Sequence, residues 1–339
     1  MILRRGAQDD LKRKEKMKVI KLILLITVLL AATHVHAQTE KKTEQVTLQL
    51  KWKHQFQFAG YYMAIEKGYY HDLGLEVTLL EAPDEGETLA SVFEGEAQFG
   101  VTTSDILLLR SRGRKLVLLA PIFQRSAQVL VAKRESGIEK VSDIQGKRVA
   151  VEAYAADILA YLEMNGVTKS DFIQTGHSYS ISELIDDEVD AITAYISDEP
   201  FLLQEAGVDY VIIQPEGMGY GFYGDVLFTT EEMIENNQDV VLQFREASLK
   251  GWEYAMSNIE ETVDIIYEKY STRHSKEHLL YEAEQMMDLI YPNRVNIGSS
   301  STEKWGQILD AYKELGLLPK TESISGLRFQ EYLPREKKD

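Results

Sequence analysis

The chain of 339 residues contains no cysteine. That absence excludes a disulfide framework, a thiolate metal centre, a cysteine nucleophile and a lipid anchor on an N-terminal cysteine. Positive charge is scarce as well: 37 Lys and Arg stand against 54 Asp and Glu, a formal net charge of −17. Nucleic acid and anionic lipid both demand clustered Lys and Arg, and no such cluster occurs beyond residue 37, so neither is an expected partner. Long apolar runs are missing apart from Leu22 to Ala32. The basic stretch Lys12 to Lys18 precedes that run and Val35-His36-Ala37 follows it, the pattern of a secretory signal peptide cut after Ala37. The run falls short of the roughly 20 residues a spanning helix needs, and no second one follows. The expected product is therefore exported and periplasmic, with translation starting at Met1 or Met17; an uncleaved anchor is the alternative.

What is present is ordinary globular material. Hydrophobic residues make up 44% and charged ones 27% of the chain, which rules out disorder and leaves room for about two domains at roughly 150 residues each. Past a polar lead-in at 38–45, short apolar runs alternate with helical patterns. Val46 to Leu50, Glu76 to Leu80, Phe99 to Thr102 and Lys115 to Ala120 are predicted strands, with Ser104 the expected N-cap for a helix over Ile106 to Arg112. The pattern restarts at Gln128, with strands at Gln128 to Ala132, Arg148 to Val151, Phe172 to Gln174, Ala191 to Tyr195 and Tyr210 to Ile213. Strands alternating with helices across short loops predict parallel sheets. After Asp225 to Phe228 the chain becomes helix upon helix, about 231–257, 260–270, 275–290 and 301–315, the last opened by a Ser300/Glu303 capping box. The expected fold is α/β: two lobes with a hinge and ligand cleft, plus a helical C-terminal part. Lobe one takes residues 38–127, lobe two 128–226, and the helical remainder of lobe one 227–339.

Enzyme signatures are mostly absent, with no G-x-S-x-G elbow, no P-loop and no H-E-x-x-H. Gly219 to Gly224 spells G-x-G-x-x-G but precedes a strand instead of joining a strand to a helix, so dinucleotide binding is not expected. His274 and His278 stand at i, i+4 on a predicted helix and could ligate a metal. With Lys276 and Glu277 beside them and no third ligand in view, they read as a solvated helix face. Gly176-His177-Ser178 places its Ser and His too close together for a triad. No cofactor or metal is expected, and the chain does not read as an enzyme.

Ligands of open parallel sheets bind beyond the carboxyl ends of strands. Trp52, Gln55 and Tyr61 follow the first strand, Ser104 and Asp105 the third, and Gln124 and Ser126 lie where the chain crosses between lobes. Tyr154 follows Arg148 to Val151, and Tyr195, Asp198 and Glu199 end a strand of the second lobe. Tyr220, Tyr223 and Asp225 precede the return crossing. Asp198 reads equally as an N-cap. Aromatic rings with carboxylates and amides suit a flat, neutral or cationic nitrogen heterocycle, while a sulfonate or phosphate would want arginine, and these loops hold only Arg125.

Val46 to Trp52, Gly60 to Tyr70 with Gly74-Leu75, Gly146 to Val149, Tyr195 to Pro200, Tyr223 to Thr229 and Gly251 to Ala255 together resemble the SsuA/THI5-like (NMT1) family across residues 46–335. The resemblance implies a type II periplasmic-binding-protein fold that closes on a small molecule. It further implies an inner-membrane ABC permease as partner for a monomer, Trp52 stacked on the ligand ring, and Glu199 on its amino-nitrogen face. A thiamine pyrimidine precursor is the expected ligand, and a sensor module docking on a membrane signalling protein is the alternative. The family's pyrimidine synthases require a Lys and a His near the third strand and a Cys-rich loop. Val101 to Asp105 has neither Lys nor His, so the enzymatic branch is disfavoured. Asp198 stands where many relatives have Asn.

Overall fold

The structure, a computed structural model, describes residue 17 and residues 43–83, 89–153, 155–214, 221–292 and 295–334. The leader expected over residues 1–37 lies, Met17 apart, outside them. Thr43–Asp339 cluster into one unit with two five-stranded sheets. The first holds β1 (Glu44–Gln49), β2 (Leu75–Leu80), β3 (Phe99–Thr102), β4 (Leu116–Pro121) and β10 (Val226–Thr230), in the order β2-β1-β3-β10-β4. The second holds β5 (Gln128–Lys133), β6 (Arg148–Val151), β7 (Ile173–Gly176), β8 (Ala191–Tyr195) and β9 (Tyr210–Ile213), in the order β7-β6-β8-β5-β9. This is the periplasmic-binding-protein arrangement of two α/β lobes. Val226 already pairs with Thr102 and Pro121 of the first sheet.

Both sheets are mixed, where the sequence pattern predicts parallel ones. β1 runs parallel to β2 and β3, and β6 parallel to β7 and β8, as helical crossovers require. β5 and β10, however, run antiparallel to both their neighbours. These are the two strands that receive the chain as it passes between lobes. They enter their sheets from the cleft end, so their direction is opposite to that of strands built by βαβ units. The crossings hydrogen-bond to each other: Gly224 N donates to Phe123 O at 3.1 Å, while Ile122 N and Phe123 N donate to Asp225 O at 2.8 and 3.0 Å.

The long helix Glu231–Ser257 anchors the first lobe. Phe244 on its inner face stacks on Phe99 with centroids 3.7 Å apart, and Ser248 meets the Tyr70 hydroxyl at 2.8 Å. The same face packs against helix Ala59–Glu66 at Gly60 and Gly251, where two backbones touch. Helices Ile259–Lys269, Lys276–Ile290 and Thr302–Glu314 follow. Side-chain caps open three of these four helices: Thr230, Ser275 and Ser301 accept from Met233 N, His278 N and Lys304 N. The cap of the last helix is thus Ser301, one residue past the expected Ser300, whose Oγ is taken by Trp305 Nε1 at 3.1 Å. Trp305, Ile308, Leu309 and Tyr312 form the buried stripe that the spacing predicts.

Candidate functional site

A cavity lies where the carboxyl ends of β1, β6, β7 and β8 converge, the position that open α/β sheets reserve for ligands. Its lining is Lys51, Trp52, Gln55 and Gln57 from the first lobe, with Glu152, Ala153, Tyr179, Tyr195, Asp198 and Glu199 from the second. It contains about 580 Å³ of empty space, part of it open to solvent.

One wall is aromatic. The Trp52 and Tyr179 rings come from different lobes and meet with centroids 4.9 Å apart at 41°. Tyr179 sits in left-handed backbone at φ 57°, a strained conformation for a non-glycine residue. Its surroundings impose it: Tyr179 N donates to His177 Nδ1 at 2.7 Å, and Ala153 N donates to the Tyr179 hydroxyl at 3.3 Å. With Nδ1 accepting, His177 donates through Nε2 to Thr193 O at 2.9 Å, which fixes a neutral tautomer. Burial pushes the His177 pKa down in the same sense.

The lining also carries carboxyls. Tyr195 N donates to Glu199 Oε2 at 2.8 Å. Burial raises the Glu199 pKa well above the usual carboxylate range, with Asp198 and Glu152 adding to the effect. Burial likewise raises Glu152 to about 7, against the opposing pull of Lys51 and the Gln128 amide. Behind the lining Asp225 is fully engaged: Lys51 Nζ approaches Oδ1 at 3.2 Å, Tyr195 donates to Oδ1 at 3.2 Å and Gln57 to Oδ2 at 2.7 Å. Lys51 also donates to the Tyr195 hydroxyl, so the one cation of the lining is already held.

The NMT1/THI5-like family model matches residues 55–262. The chain belongs to the NMT1/THI5-like family. Within it, this NMT1/THI5-like chain is 26% identical over 274 residues to the riboflavin-binding protein RibY of Chloroflexus aurantiacus, covering 74% of this chain and 77% of the relative. It is 23% identical over 257 residues to a formylaminopyrimidine-binding protein of Halalkalibacterium halodurans, covering 74% and 78%. Among solved structures, the alkanesulfonate-binding protein SsuA of Xanthomonas axonopodis pv. citri, bound to MOPS, superposes with a TM-score of 0.68 at 14% identity, over 84% of this chain and 98% of that one.

Of the residues singled out in the sequence of this NMT1/THI5-like chain, Trp52, Gln55, Tyr195, Asp198 and Glu199 line the cavity, and Asp225 stands directly behind it. Asp198 makes no N-cap hydrogen bond. The other described ones lie elsewhere. Tyr61 is core, edge-on to Trp252 at 5.7 Å. Ser104 does not cap its helix, because its Oγ donates to Tyr223 O at 2.7 Å. Ser126 donates to Asp157. Gln124 and Tyr223 border a separate groove beside Lys304. Tyr154 and Tyr220 lie outside the described residues. Lys51, Gln57, Glu152 and Tyr179 went unnoticed in the sequence, although Lys51 and Gln57 flank the Trp52 to Gln55 loop. His274 and His278 are not a solvated helix face: they are 7% and 1% exposed.

Asp105 is buried too, accepting from Tyr312 at 3.2 Å. Burial, with Asp157 nearby, raises its pKa from 3.8 to about 7 in spite of that hydrogen bond. Its proton is therefore kept on folding between those values, and the native state loses stability as pH rises through that window. Asp105→Asn, neutral at every pH, should gain on the wild type in urea unfolding between pH 5 and pH 8. A difference that stays constant across that range would remove Asp105 as the cause.

Proposed function

We propose that the chain is the solute-binding component of an ABC importer, exported to the periplasm, whose solute is a flat aminopyrimidine of the thiamine-precursor type. The observation that carries the ligand class is the Trp52–Tyr179 ring pair set against Glu199 and Glu152 in a lining without arginine. A planar ring packed against that pair gains about 0.5–1.5 kcal/mol beyond simple burial. A carboxyl whose pKa is raised holds its proton near neutrality and offers a donor and an acceptor side by side. An aminopyrimidine presents the complement, a ring nitrogen next to an exocyclic amino group. A sulfonate or phosphate would instead meet carboxyls and a lysine engaged by Tyr195 and Asp225.

Both lobes contribute to the cavity, so a ligand that needs both binds the closed form better and shifts the hinge equilibrium towards it. The permease is expected to read that closed surface. The name of the formylaminopyrimidine-binding relative supports the reading. The name of the riboflavin-binding relative favours a second one, since isoalloxazine is also flat and nitrogen-rich. Pyrimidine synthesis is not favoured, because Val101 to Asp105 lacks the lysine and histidine that branch uses.

Calorimetric titration with hydroxymethyl- and formylaminomethyl-aminopyrimidines, and with riboflavin in parallel, tests the assignment. Micromolar or tighter binding of a pyrimidine is expected. Silence from both pyrimidines at high micromolar concentration, with a folded protein, sinks it, and tight riboflavin binding alone establishes the second reading.

A further inference from the structure

Four buried side chains converge on one point beside the cleft. Asp198 comes from the segment after β8 in the second lobe. His274 precedes helix Lys276–Ile290 in the first lobe, and His278 and Glu282 lie one turn apart on it. Asp198 Oδ1, His274 Nε2, His278 Nε2 and Glu282 Oε1 lie within 4.8 Å of one another. His278 Nε2 is 3.0 Å from Asp198 Oδ1 and 3.8 Å from Glu282 Oε1, and His274 Nε2 is 3.8 Å from Asp198 Oδ1. None of these approaches is aligned as a hydrogen bond, and all four atoms are buried without a hydrogen-bond partner among the described residues.

Such a knot is expensive unless something sits in it. Buried polar atoms left without a hydrogen bond destabilise the fold, and buried carboxylates do so more strongly. The nearby Arg273 guanidinium donates to Gln55 Oε1. Neighbouring groups hold two of the four side chains in place: Glu282 Oε2 accepts from Phe56 N at 2.6 Å, and the His278 ring stacks on Phe201 at 4.6 Å. One divalent cation satisfies all four orphaned atoms and neutralises two carboxylates together. Ligand bonds of about 2.0–2.1 Å in a tetrahedron put neighbouring donors about 3.3 Å apart, within the observed spread.

We propose that Asp198, His274, His278 and Glu282 bind one divalent transition-metal ion of the zinc class, which ties the second lobe to the first. Two imidazoles and two carboxylates form a borderline nitrogen and oxygen set suited to Zn²⁺, with Co²⁺ as its spectroscopic substitute. Four protein ligands around one ion make a closed, structural site, not a catalytic one. Three ligands stand on one lobe and the fourth on the other, so the ion favours the closed arrangement of the cleft.

The test is titration of chelator-treated full chain with Co²⁺ alone, no heterocycle present, so that failure of the aminopyrimidine reading leaves its outcome intact. The expected result is one equivalent bound, with the intense visible bands of tetrahedral cobalt, bleached by Zn²⁺. Asp198→Asn and His278→Gln, checked for folding by circular dichroism, should each weaken uptake at least a hundredfold, and Zn²⁺ should raise the melting temperature of the wild type only. A wild type without saturable Co²⁺ bands, or bands that survive both substitutions, overturns the site. Tight Co²⁺ uptake with no gain in melting temperature overturns the tie between lobes.

Discussion

Trp52→Ala should lower affinity for the cleft ligand at least tenfold while leaving the fold intact. Trp52 is half-buried at the end of β1 and supplies the first lobe's half of the ring pair with Tyr179. Its removal deletes a stacking surface worth about 0.5–1.5 kcal/mol, together with apolar burial at about 25 cal/mol per Å². Tenfold corresponds to about 1.4 kcal/mol, which those two contributions exceed when summed. The loss should fall on ligand binding because Trp52 is not among the fully buried side chains. Trp52→Phe should recover most of the affinity. Titration calorimetry beside urea unfolding separates the two effects, and an unchanged dissociation constant removes Trp52 from the site.

Gly251→Ala should destabilise the protein by about 3 kcal/mol or more, whereas Gly306→Ala should stabilise it by up to about 1 kcal/mol. A Cβ on Gly251 would stand 2.1 Å from Gly60 O and 2.7 Å from both Ala64 N and Ala64 Cβ. Two of these atoms are backbone, so relief requires helices Ala59–Glu66 and Glu231–Ser257 to move apart. Separating them opens the packing under Tyr61 and Trp252 in the same core. Gly306 is also helical, yet nothing lies within 4 Å of where its Cβ would be, so alanine there gains helix propensity at no steric cost. Urea unfolding of both variants decides the matter. Equal effects would show that backbone contact is not what glycine serves at 251.

Much of this was legible in the sequence because the code involved is local. The stripe Trp305, Ile308, Leu309, Tyr312 marks its helix whatever the tertiary context, and the cleft residues after β1 and β8 follow from strand ends alone. Sheet direction was not legible at β5 and β10, since nothing in an apolar run says from which end the chain enters. Tyr61 and Trp52 look alike on paper. One is sealed against Trp252 and the other faces the cavity, a difference set by the helix start between them. The histidine pair was misread for a related reason. Lys276 and Glu277 predict solvent on the helix, but His278 and Glu282 lie on its other face. The fourth side chain, Asp198, reaches them from the opposite lobe.

The position of β10 carries a consequence for assembly. It lies between β3 and β4, and neither of those strands touches the other. Until residues 226–230 exist, the first sheet is a three-stranded fragment with an open edge and β4 has no strand to pair with. The second sheet, by contrast, has all its strands among the described residues by residue 213. During synthesis the second lobe is thus the first with all its described strands, and the first lobe waits for the strand that joins β4 to the rest of its sheet.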